Sequence, residues 1–217
     1  MMMRSMYKKV VVFDLDDTLY KEIDFLRSAY KEIATSVGHP ELAQQMFEWY
    51  KKGDNAFKKL NQCLGKNTPI ENYLSIYRNH FPSIRLIEGV EDTLDELRYR
   101  GNVLGLITDG RSISQRNKIK ALGLERWIDE KNIIISEEFG SEKTDENNFR
   151  YFNELYPDSH LYYVGDNPMK DFVVPNSLHW KTIMLKDDGR NIHPQKECPE
   201  GYSPQIVISD FDELLDL

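Results

Sequence analysis

Four short strings carry side chains able to act together. Asp14 and Asp16 alternate in Phe13-Asp14-Leu15-Asp16-Asp17-Thr18-Leu19, directly after the apolar run Val10-Val11-Val12-Phe13. Thr108 closes a second apolar run in Leu106-Ile107-Thr108-Asp109-Gly110. Lys143 stands in Ser141-Glu142-Lys143-Thr144, and Gly165-Asp166-Asn167-Pro168 is followed by Asp171. Carboxylates gathered in one cleft repel strongly at low dielectric, so Asp14, Asp16, Asp166 and Asp171 need a cation or protons to coexist. All-oxygen ligands suit a hard ion such as Mg²⁺, which keeps several waters and takes one or two carboxylates. A site with Mg²⁺, a lysine and the Thr108 hydroxyl is what a phosphoryl group demands. A carboxylate nucleophile in that setting can form an aspartyl-phosphate.

For these strings to meet, they must lie at the carboxyl ends of parallel strands, where open α/β sheets bind their ligands. Strand patterns cover Lys9–Asp14, Asn102–Thr108, Asn132–Ser136, His160–Gly165, Lys181–Leu185 and Gln205–Ile208. Most are continuously apolar or β-branched, as strands buried on both faces are. Amphipathic segments alternate with them, which predicts an α/β fold with a Rossmann-like parallel sheet. Val90–Arg100 puts Val90, Leu94 and Leu97 on one face, and Ser112–Leu122 is closed by Gly123 as C-cap. Thr144–Leu155 takes Thr144 as N-cap and ends before Pro157.

From Tyr20 to about Leu86 the alternation stops. Helical patterns over Phe25–Val37, Pro40–Lys52, Asn55–Leu64 and Pro69–His80 follow one another without a strand. That interval is too long for a simple crossover, so residues 21–86 read as an inserted all-helical domain. Residues 1–20 and 87–217 then form the sheet domain. Asp187–Ser203, polar and containing Pro, reads as a surface loop.

The strings resemble the haloacid dehalogenase-like (HAD) phosphohydrolases over nearly the whole chain. Asp14, Asp16 and Thr18 match the family's DxDxT; Thr108 its second-motif Thr or Ser; Lys143 its basic residue; Gly165, Asp166 and Asp171 its GDxxxxD. The resemblance implies that Asp14 attacks phosphorus and that Asp16 protonates the leaving oxygen, then activates water. It implies Mg²⁺ held by the Asp14 carboxylate, the Asp16 backbone carbonyl and Asp166, with Asp171 acting through water. Thr108 and the Asp109 amide would bind phosphoryl oxygens, and Lys143 would stabilise their charge. The helical insert is similar to the family's C1 cap, which selects the leaving group. Asp16 argues against dehalogenation, where no alcohol needs a proton. Phosphosugar mutases share both aspartates and the cap, and remain an alternative, as does a non-catalytic phospho-acceptor module. A closer likeness is to the branch acting on nucleoside monophosphates and acylneuraminate phosphates; Thr108-Asp109-Gly110 departs from its TNG.

Blander readings stand beside these. Asp17 and Thr18 serve equally well as caps of a turn, Asp166 and Asp171 as charges at a helix start, and Arg111 as a solvated side chain. The five histidines show no ligand spacing, and Trp49 and Tyr50 read as core. The balance of 36 acidic against 28 basic side chains, net −8, disfavours nucleic acid or anionic membrane as partners. Cys63 and Cys198 exclude a disulfide scaffold or four-cysteine zinc site and fit a reducing cytoplasm. The opening Met1–Met6 is short, the apolar run before Asp14 is too brief for a signal-peptide core, and no run approaches the roughly 18 residues of a membrane span. The expectation is a cytoplasmic Mg²⁺-dependent phosphomonoesterase acting on a small phosphorylated metabolite, with monomer or homodimer left open.

Overall fold

The computed structural model describes residues 8–217; the opening stretch through Tyr7 lies outside them. Six strands form one all-parallel sheet: β1 (Lys9–Phe13), β2 (Val103–Thr108), β3 (Ile133–Ile135), β4 (His160–Gly165), β5 (Lys181–Leu185) and β6 (Ile206–Ile208). Their order is β3-β2-β1-β4-β5-β6, so β1 is central and the chain changes direction across it. The helices are α1 (Glu22–Ser36), α2 (Leu42–Lys51), α3 (Ala56–Leu64), α4 (Ile70–Asn79), α5 (Val90–Tyr99), α6 (Ser112–Leu122), α7 (Ser136–Phe139), α8 (Asn147–Leu155) and α9 (Val173–Ser177).

The β-branched run of β1 is buried on both faces, as is all of β2. On one face Val10, Val12 and Ile107 pack with Phe149 and Phe152 of α8 and with Trp180. The Phe149 and Trp180 rings meet edge-on at 5.4 Å, a geometry worth about 0.5–1.5 kcal/mol beyond the area buried. Gly105 lets α8 come this close: a Cβ there would lie 2.7 Å from the Phe152 ring. On the other face Leu94 and Leu97 of α5 are buried, and the Phe13 ring stacks on Phe211 at 6.2 Å.

Among the boundaries that differ from the sequence expectation, one bears on the site. Helix α8 begins at Asn147, not Thr144, and Lys143 lies in the turn ahead of it. Asp145 is the cause: its Oδ1 accepts from the Asn147 N–H at 2.9 Å, competing locally with helix hydrogen bonds.

The chain divides into two compact units. The α/β unit comprises the residues through Lys21, Leu86–Ser112 and Gly123–Leu217; the helical unit comprises Glu22–Arg85 with Ile113–Leu122. Helix α6 therefore groups with the insert, although its sequence position places it with the sheet. Ser114 Oγ donates to the Arg78 carbonyl at 3.0 Å, and Asn117 Nδ2 to the carbonyls of Asn79 and His80 at 3.1 Å each. These side chains satisfy acceptors at the end of α4 that no further helical turn could reach. Within the helical unit the Tyr30 and Phe57 rings meet edge-on at 6.2 Å, and Phe57 stacks on Tyr73 at 5.7 Å. Asn55 caps α3, accepting from Lys58 N at 3.0 Å, and Gly65 closes it in the left-handed region at φ 58°. Among the described residues no helix is long and apolar enough to cross a membrane.

Candidate active site

Register brings the strings together. Phe13 lies opposite Leu106 on one side and Val164 on the other, so the chain leaving β1 emerges between the ends of β2 and β4. This is the switch point at which a crevice opens in such a sheet. The Asp14 N–H still donates to the Val164 carbonyl at 2.8 Å, which pins the first carboxylate beside β4. Asp14, Asp166 and Asp171 each offer a carboxylate oxygen, all within 4.8 Å of one another, and all three residues are buried. Lys143, also buried, donates from Nζ to Asp14 Oδ1 and, at 3.0 Å, to Asp171 Oδ1. Thr18 Oγ1 lies 3.5 Å from Asp14 Oδ2.

The spacing from Gly165 to Asp171 has a mechanical explanation. Asp171 Oδ2 accepts from the N–H groups of Asp166 at 3.1 Å and Asn167 at 2.8 Å, folding the loop back on itself. A Cβ on Gly165 would sit 2.5 Å from that same oxygen, so only glycine fits there. Asp171 is thus occupied by backbone donors and Lys143, and it fixes the loop that presents Asp166.

Burial dominates the electrostatics. It raises Asp14 to about 7, with Lys143 opposing the shift and the charges of Asp171 and Asp16 adding to it. Asp166 rises to about 9, through burial first and then repulsion from Asp171 and Asp14. Burial would depress the Lys143 ammonium, but Asp14 and Asp171 outweigh it and hold that group well above its usual range. Three clustered carboxylates face one ammonium. Oxygen-only donors, close spacing and this uncompensated negative charge fit a hard divalent cation.

The other residues singled out from the sequence follow the ends of β1 and β2. Asp16 Oδ1 accepts from the Tyr20 hydroxyl, and the two residues also form an isolated β-bridge. Thr108 is buried at the end of β2. The Asp109 side chain holds the lysine's backbone: its Oδ1 accepts from Lys143 N at 3.0 Å. The Gly110 N–H donates to Ser136 Oγ at 3.0 Å. Asp17 adopts φ 56°, a left-handed conformation that Asp tolerates better than most residues, and its Oδ2 accepts from Ile192 N at 2.8 Å. Arg111 faces Glu137 at 3.4 Å and is solvated.

The segment expected to be a surface loop contributes directly. Asn191 Nδ2 donates to Asp166 Oδ2 at 2.9 Å, and Gln195 Nε2 to the Asp166 carbonyl at 2.9 Å. Lys21 is buried and donates to Asn191 Oδ1 at 2.7 Å. Sequence held a turn signal here, Asp187-Asp188-Gly189, but nothing that tied it to a residue so distant along the chain. At the amino ends of the central strands, a cavity of about 1030 Å³ is lined by Lys9, Tyr99, Arg100, His160 and Tyr162. Its Lys9 and Arg100 bind the carbonyls of Leu217 and Leu215, and it shares no residue with the acidic cluster.

Comparison with known proteins agrees with this geometry. A glyceraldehyde 3-phosphate phosphatase of Methanocaldococcus jannaschii is 30% identical over 96% of this chain and 96% of its own length. One from Methanothermobacter thermautotrophicus is 28% identical over 96% and 99%. In fold, the chain is similar to the HAD hydrolase YfnB from Bacillus subtilis, solved with magnesium bound. The TM-score is 0.70, with 19% identity, 97% of this chain and 98% of that one being covered. Residues 11–184 match the family of haloacid dehalogenase-like hydrolases. The chain belongs to the haloacid dehalogenase-like hydrolases and is a phosphatase of that family.

Proposed function

We propose that this phosphatase hydrolyses a small sugar phosphate, with glyceraldehyde 3-phosphate as the first candidate, through a phospho-aspartyl intermediate. The observation that carries the mechanism is the buried cluster of Asp14, Asp166 and Asp171 with Lys143 bridging two of them. An Asp14 carboxylate oxygen attacks phosphorus, and the bond from phosphorus to the ester oxygen breaks. Asp16, held by Tyr20, gives its proton to the departing alkoxide. Water then attacks the phosphorus of the aspartyl-phosphate, passing a proton to Asp16 and releasing inorganic phosphate and free Asp14. Lys143 offsets the charge that builds on Asp14 and the phosphoryl oxygens, with Thr108 and the Asp109 amide as further donors. The Asp14 carboxylate, the Asp16 backbone carbonyl and Asp166 would hold Mg²⁺, which would supply Lewis-acid stabilisation of that charge. Asp171 supports the loop of Asp166 and Lys143. The helical insert serves as a cap that selects the leaving group.

The substrate class is supported by relatives named glyceraldehyde 3-phosphate phosphatases, at 27–30% identity over nearly the whole chain. That favours a phosphosugar over the nucleoside monophosphates of the branch the sequence resembles, from whose TNG Thr108-Asp109-Gly110 departs. The test is ³¹P NMR of glyceraldehyde 3-phosphate, glucose 1-phosphate and a nucleoside monophosphate, each with purified protein in Mg²⁺ or EDTA. Inorganic phosphate should appear fastest from glyceraldehyde 3-phosphate and stop with EDTA. Interconversion of sugar phosphates without free phosphate would instead assign a mutase. No turnover of any ester would leave a phospho-acceptor module.

A further inference from the structure

We propose that Asn191, oriented by Lys21, is a positioning residue that holds the Asp166 carboxylate in place for a divalent cation; this rests on Asp166 being a metal ligand. Residues 186–195 leave β5 and are tied to the ends of both β1 and β4. Asp187 Oδ1 accepts from the N–H groups of Gly189 at 2.8 Å, Arg190 at 3.1 Å and Asn191 at 3.0 Å, which winds the segment into a tight turn. Gln195 clamps the turn from the far side. Its Nε2 donates to the carbonyls of Asp166 and Leu185, at 2.9 and 2.7 Å, and its Oε1 accepts from Asp187 N at 3.0 Å. Ile192 N reaches Asp17 Oδ2 at 2.8 Å.

This turn places the Asn191 amide between two buried charges. Lys21, 4% exposed, donates to Asn191 Oδ1 at 2.7 Å, while Asn191 Nδ2 donates to Asp166 Oδ2 at 2.9 Å. An ammonium can only donate, so the amide oxygen must face Lys21 and the amide NH₂ must face Asp166. Lys21 is itself held by Asp188 Oδ1 at 3.0 Å. One carboxylate oxygen of Asp166 is thereby fixed and partly neutralised, and the other is left to serve a cation. Outer partners of this kind orient metal ligands, and their loss costs about 10–100-fold in metal affinity.

The experiment titrates Mn²⁺ into the full-length chain by electron paramagnetic resonance, a readout that does not depend on turnover. Asn191→Ala should weaken Mn²⁺ binding about tenfold or more and broaden the bound-Mn²⁺ spectrum. Asn191→Asp, which keeps the shape but turns an anion toward Asp166, should weaken it at least as much. Lys21→Met should act in the same direction, because the amide loses what orients it. The double variant should be no weaker than Asn191→Ala alone, as expected for two groups in one chain of contacts. Asp166→Asn is the control. If it binds Mn²⁺ like the wild type, Asp166 is no ligand, and the metal-site reading falls together with this proposal. If it loses binding while Asn191→Ala and Lys21→Met stay within about twofold of wild type, the role of Asn191 alone is overturned. Circular dichroism checks the fold of each variant. Should Asn191→Ala unfold, Lys21→Met carries the same test from outside the turn.

Discussion

In the α/β unit, Asp14, Lys143, Asp166 and Asp171 are buried together in the crevice. In the helical unit the buried side chains are mostly rings and aliphatics: Phe25, Tyr30, Ile33, Phe47, Leu60 and Tyr73. Lys118 is buried there too, with its ammonium 4.4 Å from the centre of the Phe25 ring. Burying rings stabilises a fold wherever they pack, whereas burying carboxylates costs stability unless donors and cations surround them. The α/β unit surrounds Asp171 with two backbone N–H groups, Lys143 and the Tyr163 hydroxyl, and still leaves Asp14 and Asp166 far above the ordinary carboxylate range. Chemistry placed those residues; packing placed the aromatic ones.

The largest effect that would test this contrast is Asp14→Asn. Turnover should fall by about four orders of magnitude or more, because the nucleophile is gone. The urea midpoint of the metal-free protein should not fall, because a buried charge has been removed. Retained phosphatase activity would break the nucleophile assignment, and a lowered midpoint would break the contrast itself. Tyr73→Ala should do the reverse. It opens a cavity beneath Phe57 and removes a 2.8 Å hydrogen bond to Asn61, costing about 3–5 kcal/mol by urea denaturation. Affinity of the folded variant for Mn²⁺ should stay within about twofold, since Tyr73 belongs to the helical unit and the acidic cluster to the α/β unit.

The smallest effect is on pH dependence, and it has opposite signs in the two units. Asp14 and Asp166 are raised from 3.8 to about 7 and about 9, so the native state holds protons that the unfolded chain has released. Their contribution to metal-free stability is full below pH 3.8 and is lost as pH rises through about 7 and about 9. His80, in the helical unit, is lowered from 6.5 mainly by burial, and its Nε2 has no hydrogen-bond partner among the described residues. Its contribution is present above pH 6.5 and is lost as pH falls below that value. Melting temperature measured from pH 5 to pH 9.5 in EDTA should therefore fall as pH rises, less steeply below pH 6.5, where His80 opposes the two carboxylates. Saturating Mg²⁺ should flatten the decline, and His80→Phe should steepen its part below pH 6.5. An alkaline decline that survives Mg²⁺ would remove the metal from the acidic cluster.

The amino-acid sequence alone determined the parallel sheet and the residues that converge on it. Val10–Phe13 and Val103–Thr108 are apolar at every or nearly every position, which only strands covered on both faces require. Phosphoryl chemistry needs particular residue types at strand ends, and Asp14, Thr108, Asp166 and Asp171 stand beside runs that announce those ends. Lys143 was legible by its place among the four strings but not by its local structure, because the Asp145 side chain shortens the helix expected to begin beside it. The tertiary structure alone decided the rest. Helix α6 joins the insert because Ser114 and Asn117 find their acceptors at the end of α4. Asn191 reaches Asp166 from 25 positions along the chain, and Lys21 reaches Asn191 from 170. A hydrogen bond between two polar side chains imposes no periodicity on either segment, so the sequence carries no trace of it. Hydrophobic burial repeats along a chain and can be read from it, whereas a single polar contact is visible only once the fold has closed.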